Sequence, residues 1–236
     1  MTLSNKKALV VYKRSLYEFY VASNDPAVQA FLSNNEEAKR LERSHHAQKE
    51  TLDHVLGTLD AAHVFYDVMW RGNLREIADV DLAIVVGGDG TFIETSRFIK
   101  DIPVLGVNSD PQASRGFFCA ATKENFNDFL YGIDTVPRTA VNRMRLSLDN
   151  KEIPSQILND ILIAHENPAA MTRYKLDSVY FRGSGLLVAT AAGSTAWMYE
   201  EGGDVVPLER KDFQYVHRGI RGAKPQFAER FSVESL

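Results

Sequence analysis

The chain has a single cysteine, Cys119, in 236 residues. No internal disulfide framework can form, and such cysteine usage suits a reducing compartment. No cluster of metal-ligand residues surrounds Cys119, so it reads as a small buried hydrophobe. Long apolar runs are missing as well. Nothing approaches the ~18 apolar residues of a membrane span, and residues 1–7 lack the apolar core of a secretory leader. The expectation is a cytoplasmic protein with no membrane attachment. Positive charge is not in excess: 27 Lys and Arg against 31 Asp and Glu give a net charge of −4. That argues against a general nucleic-acid binder, which needs a basic face. There is no internal repeat and no low-complexity tract. What is present, 44% hydrophobic and 25% charged residues, is the balance of a globular protein. The length accommodates one large or two ordinary domains.

Residues 8–12 read as a first strand, followed by a short aromatic segment over residues 16–21 and a turn signal at Asn24-Asp25-Pro26. Asn34 or Asn35 can cap a helix with Glu36 and Glu37 in its first turn, as the helix dipole prefers. That helix is expected to run to about Leu59, with Leu52, Val55, Leu56 and Leu59 on one face. His45, His46 and His54 fall on it. Adjacent histidines diverge by about 100° on a helix, so they point to a solvated or partner-facing surface rather than a chelating pair. Further strands are expected at 62–68, 81–86 and 102–107, and helices at 92–100 and 123–131. Strands alternating with helices predict a parallel α/β sheet with right-handed crossovers over residues 1–135. From residue 136 to 236 the texture changes to strand-like runs at 143–148, 157–164 and 174–181, predicting a β-rich domain. Residues 211–236 are charged and weakly patterned, which predicts a partly irregular end.

Three clusters stand out. Ala83-Ile84-Val85-Val86 is an apolar run of the kind buried on both faces of a sheet, and it ends at Gly87-Gly88-Asp89-Gly90-Thr91. Glycines permit a tight turn and close approach of a ligand, and the N-terminus of a following helix favours an anion. A carboxylate at that place can hold Mg²⁺, orient a hydroxyl or take its proton; otherwise it is a local cap. Parallel sheets bind ligands outside the carboxyl ends of their strands, where Asn108-Ser109-Asp110 would also emerge. The second cluster, Asn159-Asp160, lies inside an apolar run. Both side chains can serve one ligand only at a strand end or bulge; the other reading is a turn. The third, Gly193-Ser194-Thr195-Ala196-Trp197, ends another buried run. It offers N–H groups and hydroxyls suited to ribose or phosphate, and a short helix is expected from Ala196.

In this order the three clusters resemble the ATP-dependent NAD kinase family, marked by a Gly-Gly-Asp-Gly loop, an Asn-Glu/Asp pair and a Gly-Ser/Thr-Thr-Ala-aromatic loop. The resemblance covers roughly residues 8–205 and includes Gly106-Val107-Asn108 and Gly116-Phe117. The long helix, Asn108-Ser109-Asp110-Pro111 and Ala196-Trp197 look most like the mitochondrial-type branch. The resemblance implies a Rossmann-like N-terminal domain and a β-sandwich-like C-terminal domain with the dinucleotide between them. It implies phosphoryl transfer from Mg-ATP, or polyphosphate, to NAD. Asp89 would act on the 2′-hydroxyl of the adenosine ribose as general base or by orienting it. Gly90 would lie against that ribose, and Gly87 and Gly88 against the ATP phosphates, with Thr91 and Asn108 beside them. Asn159 and Asp160 would bind ribose and base groups, and Phe117 would pack on adenine. Gly193 and Ser194, with residues 195–200 (Thr195, Ala196, Trp197 and Glu200 among them), would line a second nucleotide pocket. Arg182 would match a family arginine. The resemblance also suggests a homodimer or homotetramer. The chain departs from the family's pattern at Ser184, where an Asp is frequent, at Ala170, near which Arg173 can substitute, and in the short stretch after the third motif. Those departures favour, as the alternative, a nucleotide-binding regulator of little activity; a lipid or other small-molecule kinase would share only the first loop.

Overall fold

The structure, a computed structural model, describes residues 6–235. Residues 1–5, most of the stretch read as lacking an apolar leader, lie outside it. The chain divides into two compact units, Met1–Pro137 and Arg138–Leu236.

The first unit is built on a parallel sheet of five strands: β1 (Lys7–Tyr12), β2 (Phe65–Trp70), β3 (Leu82–Gly87), β4 (Val104–Asn108) and β5 (Cys119–Thr122), in the order β2-β1-β3-β4-β5. β3 is central, and every one of its residues is buried. Alternation along it sends Ile84 and Val86 to one face, against Val55 and Leu59, and Ala83 and Val85 to the other, against Ile99. An apolar run without polar interruption is what two covered faces require. The helices of this unit are α1 (Leu16–Val21), α2 (Pro26–Asn34), α3 (Glu36–Ala61), α4 (Asp89–Ser96) and α5 (Phe126–Tyr131).

The expected long helix is α3, and Asn35 is its cap, its side chain accepting from the Glu37 N–H at 2.8 Å. The Asn34 side chain lies outside what is described. Val55 and Leu59 are fully buried, with Leu52 and Leu56 packed beside them. Asn24-Asp25-Pro26 is more than a turn: Asp25 caps α2 through the Ala27 N–H, with Pro26 at the first helical position. His45 is half-buried, and its Nδ1 meets the Oγ of Ser15, the cap of α1, at 2.8 Å. His46 is exposed, and among the described residues no three His, Cys, Asp or Glu group as a metal site. Element bounds shift elsewhere. The strand expected at 62–68 starts at Phe65, since residues 62–64 close the end of α3. The helix expected at 92–100 starts at Asp89, directly off β3, and stops at Ser96. The one expected at 123–131 starts at Phe126.

The second unit is antiparallel. β9 (Thr172–Leu176), β10 (Val179–Gly183) and β14 (Val233–Ser235) form one sheet in the order β10-β9-β14. β8 (Asp160–Ile163), β11 (Gly185–Ala189), β12 (Phe213–Arg218) and β13 (Gln226–Ala228) form another in the order β13-β12-β11-β8. A small ribbon pairs β6 (Ser147–Leu148) with β7 (Lys151–Glu152). Tyr174 and Leu176 of the first sheet share a core with Leu186 and Val188 of the second, the arrangement of a β-sandwich. Two expectations are corrected. Residues 143–148 contribute only β6 and a bridge from Met144 to Ile157. Residues 174–181 are not one strand but a hairpin, turned at Asp177 and Ser178 with φ of 47° and 72°, the positive-φ turn that two-residue hairpins favour. The end is partly irregular, as expected: over residues 211–235, β12, β13 and β14 alternate with turns and unpaired segments at 219–225 and 229–232.

Leu59 makes no solvent contact, so Leu59→Ala should cost ~2–5 kcal/mol, read from the urea midpoint. In the second unit His217 is 6% exposed, stacks on Phe181 at 3.9 Å and shares a 2.6 Å hydrogen bond with the Tyr174 hydroxyl. Burial holds its pKa below the ordinary 6.5, so the unfolded chain takes up a proton more readily than the folded one. Stability from this group is full above pH 6.5 and should fall as the pH drops below it. Urea midpoints at pH 7.5 and 5.5 should separate more in the wild type than in His217→Gln.

Candidate active site

The candidate site in the first unit lies at the carboxyl edge of the parallel sheet. β3 runs into α4 with no loop between them, only Gly88 as the N-cap, and no side chain caps the helix. The first N–H groups of α4 are therefore left to whatever occupies the turn. Gly87 is required by packing: a Cβ there would collide with the side chain of Thr91, which is buried beneath the turn. Gly90 is different, since a Cβ there would meet nothing within 4 Å. A glycine within a helix that packing does not demand gives up about 1 kcal/mol relative to alanine. It leaves bare backbone facing open space.

Asp89 is not a local cap. Its Oδ1 accepts from the backbone N–H of Phe118 at 2.9 Å, which fixes the carboxylate and leaves the other oxygen without a hydrogen-bond partner among the described residues. Phe118 is itself held by stacking on Phe92 of α4, with ring centroids 5.1 Å apart and planes 9° from parallel. Its neighbour Phe117 is 40% exposed and edge-on to it. The structure thus ties the two expected ligand groups, Asp89 and Phe117, to one another through a single peptide. The Phe118 amide was not among the expected site groups, because a backbone donor leaves no side-chain signature in a sequence. Asn108 lies in register with Gly87, but its amide is spent inside its own loop, donating to the Ser114 carbonyl at 2.9 Å and accepting from the Asp110 N–H at 3.1 Å. It shapes the loop beside the turn. Burial, with the Asp89 charge close by, pushes the Cys119 thiol up to about 12. The thiol stays neutral at physiological pH, although Cys119 is half-buried rather than fully buried as expected.

In the second unit the other two clusters come together. Asp160 opens β8 and pairs with Ala189 at the end of β11, so Asn159 sits at a strand start, the placement that lets both side chains be useful. Thr190 clamps the junction: its N–H reaches the Asn159 carbonyl at 2.8 Å and its hydroxyl donates to the Leu158 carbonyl. Gly193 lies flat on the Asn159 backbone, where any Cβ would clash. The Asn159 Oδ1 is buried with no hydrogen-bond partner among the described residues, and burial raises the Asp160 carboxyl above its ordinary value. A buried polar atom left without a partner costs ~1–3 kcal/mol.

The 193–197 loop divides by role. Ser194 is buried and its Oγ accepts from the Val206 N–H at 3.1 Å, whereas Thr195 and Ala196 remain partly open. The expected short helix is Trp197–Glu200, labelled α6, preceded by a 3₁₀ turn at Ala192–Thr195. Trp197 is 38% exposed; its indole N–H donates to Glu201, and the Arg218 guanidinium lies 4.9 Å from the ring centroid. Glu200 is exposed. Arg182 and Ser184 are not joined to this corner by strand pairing. Arg182 is on β10, in the other sheet, exposed and directed at the Met171 sulfur; the Ser184 N–H donates to the Arg218 carbonyl.

Comparison with known proteins adds to this geometry. A probable NADH kinase of Oryza sativa subsp. japonica is 36% identical over 199 residues, 72% of this chain and 61% of that protein. An NADH kinase of Arabidopsis thaliana is 38% identical over 175 residues, 60% of this chain and 54% of that one. The chain therefore spans somewhat over half the length of the curated relatives it matches. The crystal structure of an NAD kinase from Archaeoglobus fulgidus in complex with ATP superposes with a TM-score of 0.63 at 23% identity, covering 97% of this chain and 80% of that one. It shares the fold. The ATP-NAD kinase N-terminal domain matches residues 4–133, the stretch that holds the glycine turn, Asp89 and the phenylalanine pair, and by that match over more than half its length the chain belongs to the ATP-NAD kinase family.

Proposed function

We propose that this protein is an NAD kinase that transfers the terminal phosphoryl group of ATP to the 2′-hydroxyl of the adenosine ribose of NAD, giving ADP and NADP. The observation that carries the reading is the Asp89–Phe118 hydrogen bond. Adenine and its ribose are adjacent in a dinucleotide, and this bond holds a half-free carboxylate next to an exposed phenylalanine ring. With adenine on Phe117, the ribose falls to Asp89 and the open backbone of Gly90. As the hydroxyl oxygen bonds to the γ-phosphorus, the bond to the ADP oxygen breaks and the hydroxyl proton passes to the free Asp89 oxygen. Gly87 and Gly88 take the donor phosphates. Asn159 and Asp160 take ribose and base groups, which would supply the missing partner of the Asn159 Oδ1. Thr195, Ala196, Trp197 and Glu200 contribute to nucleotide binding, with Arg182 and Ser184 near the nicotinamide end.

Magnesium fits as a passenger of the donor. Hard Mg²⁺ is held by phosphate oxygens and water with one or two carboxylates rather than by an all-protein cage, and Asp89 has a carboxylate oxygen to spare. Bound with the phosphates, it supplies neutralisation of their charge. The long α3, Asn108-Ser109-Asp110-Pro111 and Ala196-Trp197 support a place in the mitochondrial-type branch. A homodimer or homotetramer is the assembly we infer, on family grounds. The names of the plant relatives favour one further possibility, that the reduced dinucleotide is an acceptor too.

Purified protein with Mg-ATP and NAD should form NADP in a dehydrogenase-coupled assay, with ATP, GTP and polyphosphate as donors and NAD and NADH as acceptors compared side by side. Asn at position 89 can still accept from the Phe118 N–H, so Asp89→Asn should keep the fold and lose at least ~10²-fold in turnover; an unchanged rate removes Asp89 from the mechanism. Gly90→Ala should melt no lower than wild type, because its Cβ enters open space, yet bind NAD at least roughly tenfold more weakly through steric exclusion.

A further inference from the structure

Four basic side chains follow the first two strands at the carboxyl edge of the first unit's sheet. Arg14 pairs with Glu18 at 2.8 Å and lies over Phe19 and Trp70. Arg71 pairs with Glu94 at 3.4 Å, and Arg75 lines a cavity beside β2. Lys13 is the exception. It is half-buried, yet among the described residues its ammonium makes no hydrogen bond or ion pair. Desolvation is the largest influence on it and lowers its pKa; attraction from Asp110 opposes this, and Arg71 adds repulsion. Asp110 does not close on it as an ion pair, and one of its carboxylate oxygens is already engaged by the Ala113 N–H at 3.2 Å. A lysine with a flexible four-carbon stem ordinarily carries its charge out to water. One held partly desolvated beside another cation is disfavoured unless an anion joins it.

The topology says where that anion would sit. β1 lies against β3 in parallel, with Tyr12 beside Val86 as the last pair. Lys13 follows the end of β1, and Gly87 is the next residue of β3. The backbone of Lys13 therefore leaves the sheet at the edge where β3 enters the Gly87-Gly88-Asp89-Gly90 turn and α4 begins without a side-chain cap, and the charges nearest its ammonium, Asp110 and Arg71, follow β4 and β2 at that same edge. An uncapped helix N-terminus and an unpaired lysine on the neighbouring strand are independent features, and both call for negative charge at one edge.

We propose that Lys13 is a phosphate-positioning residue, its ammonium binding the polyphosphate of the phosphoryl donor at the Gly87–Gly90 turn. The proposal rests on the kinase reading of that turn and adds a named residue for the donor. In the sequence, Lys13 had no signature: it is one of 27 basic residues, and only the adjacency of β1 to β3 singles it out.

The test uses the full chain and inorganic tripolyphosphate as the probe, in calorimetry, with Lys13→Met and Lys13→Arg. Wild type should bind the probe, Lys13→Met should bind it at least tenfold more weakly, and Lys13→Arg should stay within threefold of wild type. In the steady state Lys13→Met should raise KM for ATP at least tenfold and leave KM for NAD within twofold. Its melting temperature should be equal or higher, since the substitution removes a poorly solvated charge; a lysine with a purely structural role would show the reverse. The proposal is overturned if wild type does not bind tripolyphosphate, if Lys13→Met binds it as tightly as wild type, or if that variant melts lower and loses NAD and ATP affinity alike. Should wild type form no NADP from NAD or NADH while tripolyphosphate binding depends on Lys13, the acceptor assignment fails and the role of Lys13 stands.

Discussion

The first unit depends on β3 being buried on both faces. A strand with Ala83 and Val85 against one layer and Ile84 and Val86 against the other can sit only in the middle of a covered sheet. Everything chemical in this unit follows from where that strand ends. β1 and β4 flank it, so residues just beyond all three strands gather at one edge: Lys13, the Gly87–Gly90 turn, and Asn108 to Asp110. The absence of a connecting loop between β3 and α4 matters in the same way. It brings the uncapped helix end directly to the edge of the sheet, where the backbone N–H groups and Asp89 face the same space.

That edge is then held by hydrogen bonds that fix rather than fill it. Asp89 is oriented by a peptide N–H, not by a cation, and its second carboxylate oxygen has no hydrogen-bond partner among the described residues. Asn108 uses one amide N–H and its carbonyl oxygen within its own loop, and Thr91 is buried under Gly87. What remains available is a small set: one carboxylate oxygen, a bare stretch of backbone at Gly90, an exposed phenyl ring and an ammonium. This set suits a reaction in which a protein mostly positions groups and offsets charge. The second unit uses the same economy. Thr190 and Gly193 hold the backbone at Leu158 and Asn159 closely, and the Asn159 amide oxygen is buried without a hydrogen-bond partner among the described residues.

Much of this was legible in the sequence because it is local. The buried run ending in Gly87-Gly88-Asp89-Gly90, the Asn35 cap of α3 and the order of the three clusters that carries the family resemblance all lie within short stretches whose side-chain chemistry dictates backbone behaviour. Bounds were less legible where two signals overlap. Residues 62–64 look like strand but finish a helix, and Asp89 looks like a cap but is already helical. Residues 174–181 alternate as one strand would, yet Asp177 and Ser178 adopt positive φ and reverse the chain. The closing strands β12 to β14 are short and half-wetted, so their periodicity never rose above the charge around them.

The α/β-then-β class, the central strand and its glycine turn, and the resemblance to the ATP-NAD kinase family are written in the chain itself, since each rests on residue types in short local stretches. Only the tertiary structure decided which groups at those places are free. The bond from the Phe118 N–H to Asp89, the withdrawal of Asn108 and Ser194 into internal hydrogen bonds, the orphaned Asn159 oxygen and the unpaired Lys13 depend on which strands become neighbours. Neighbours in a sheet are chosen by burial of whole faces, and that choice is made by residues far apart in the chain.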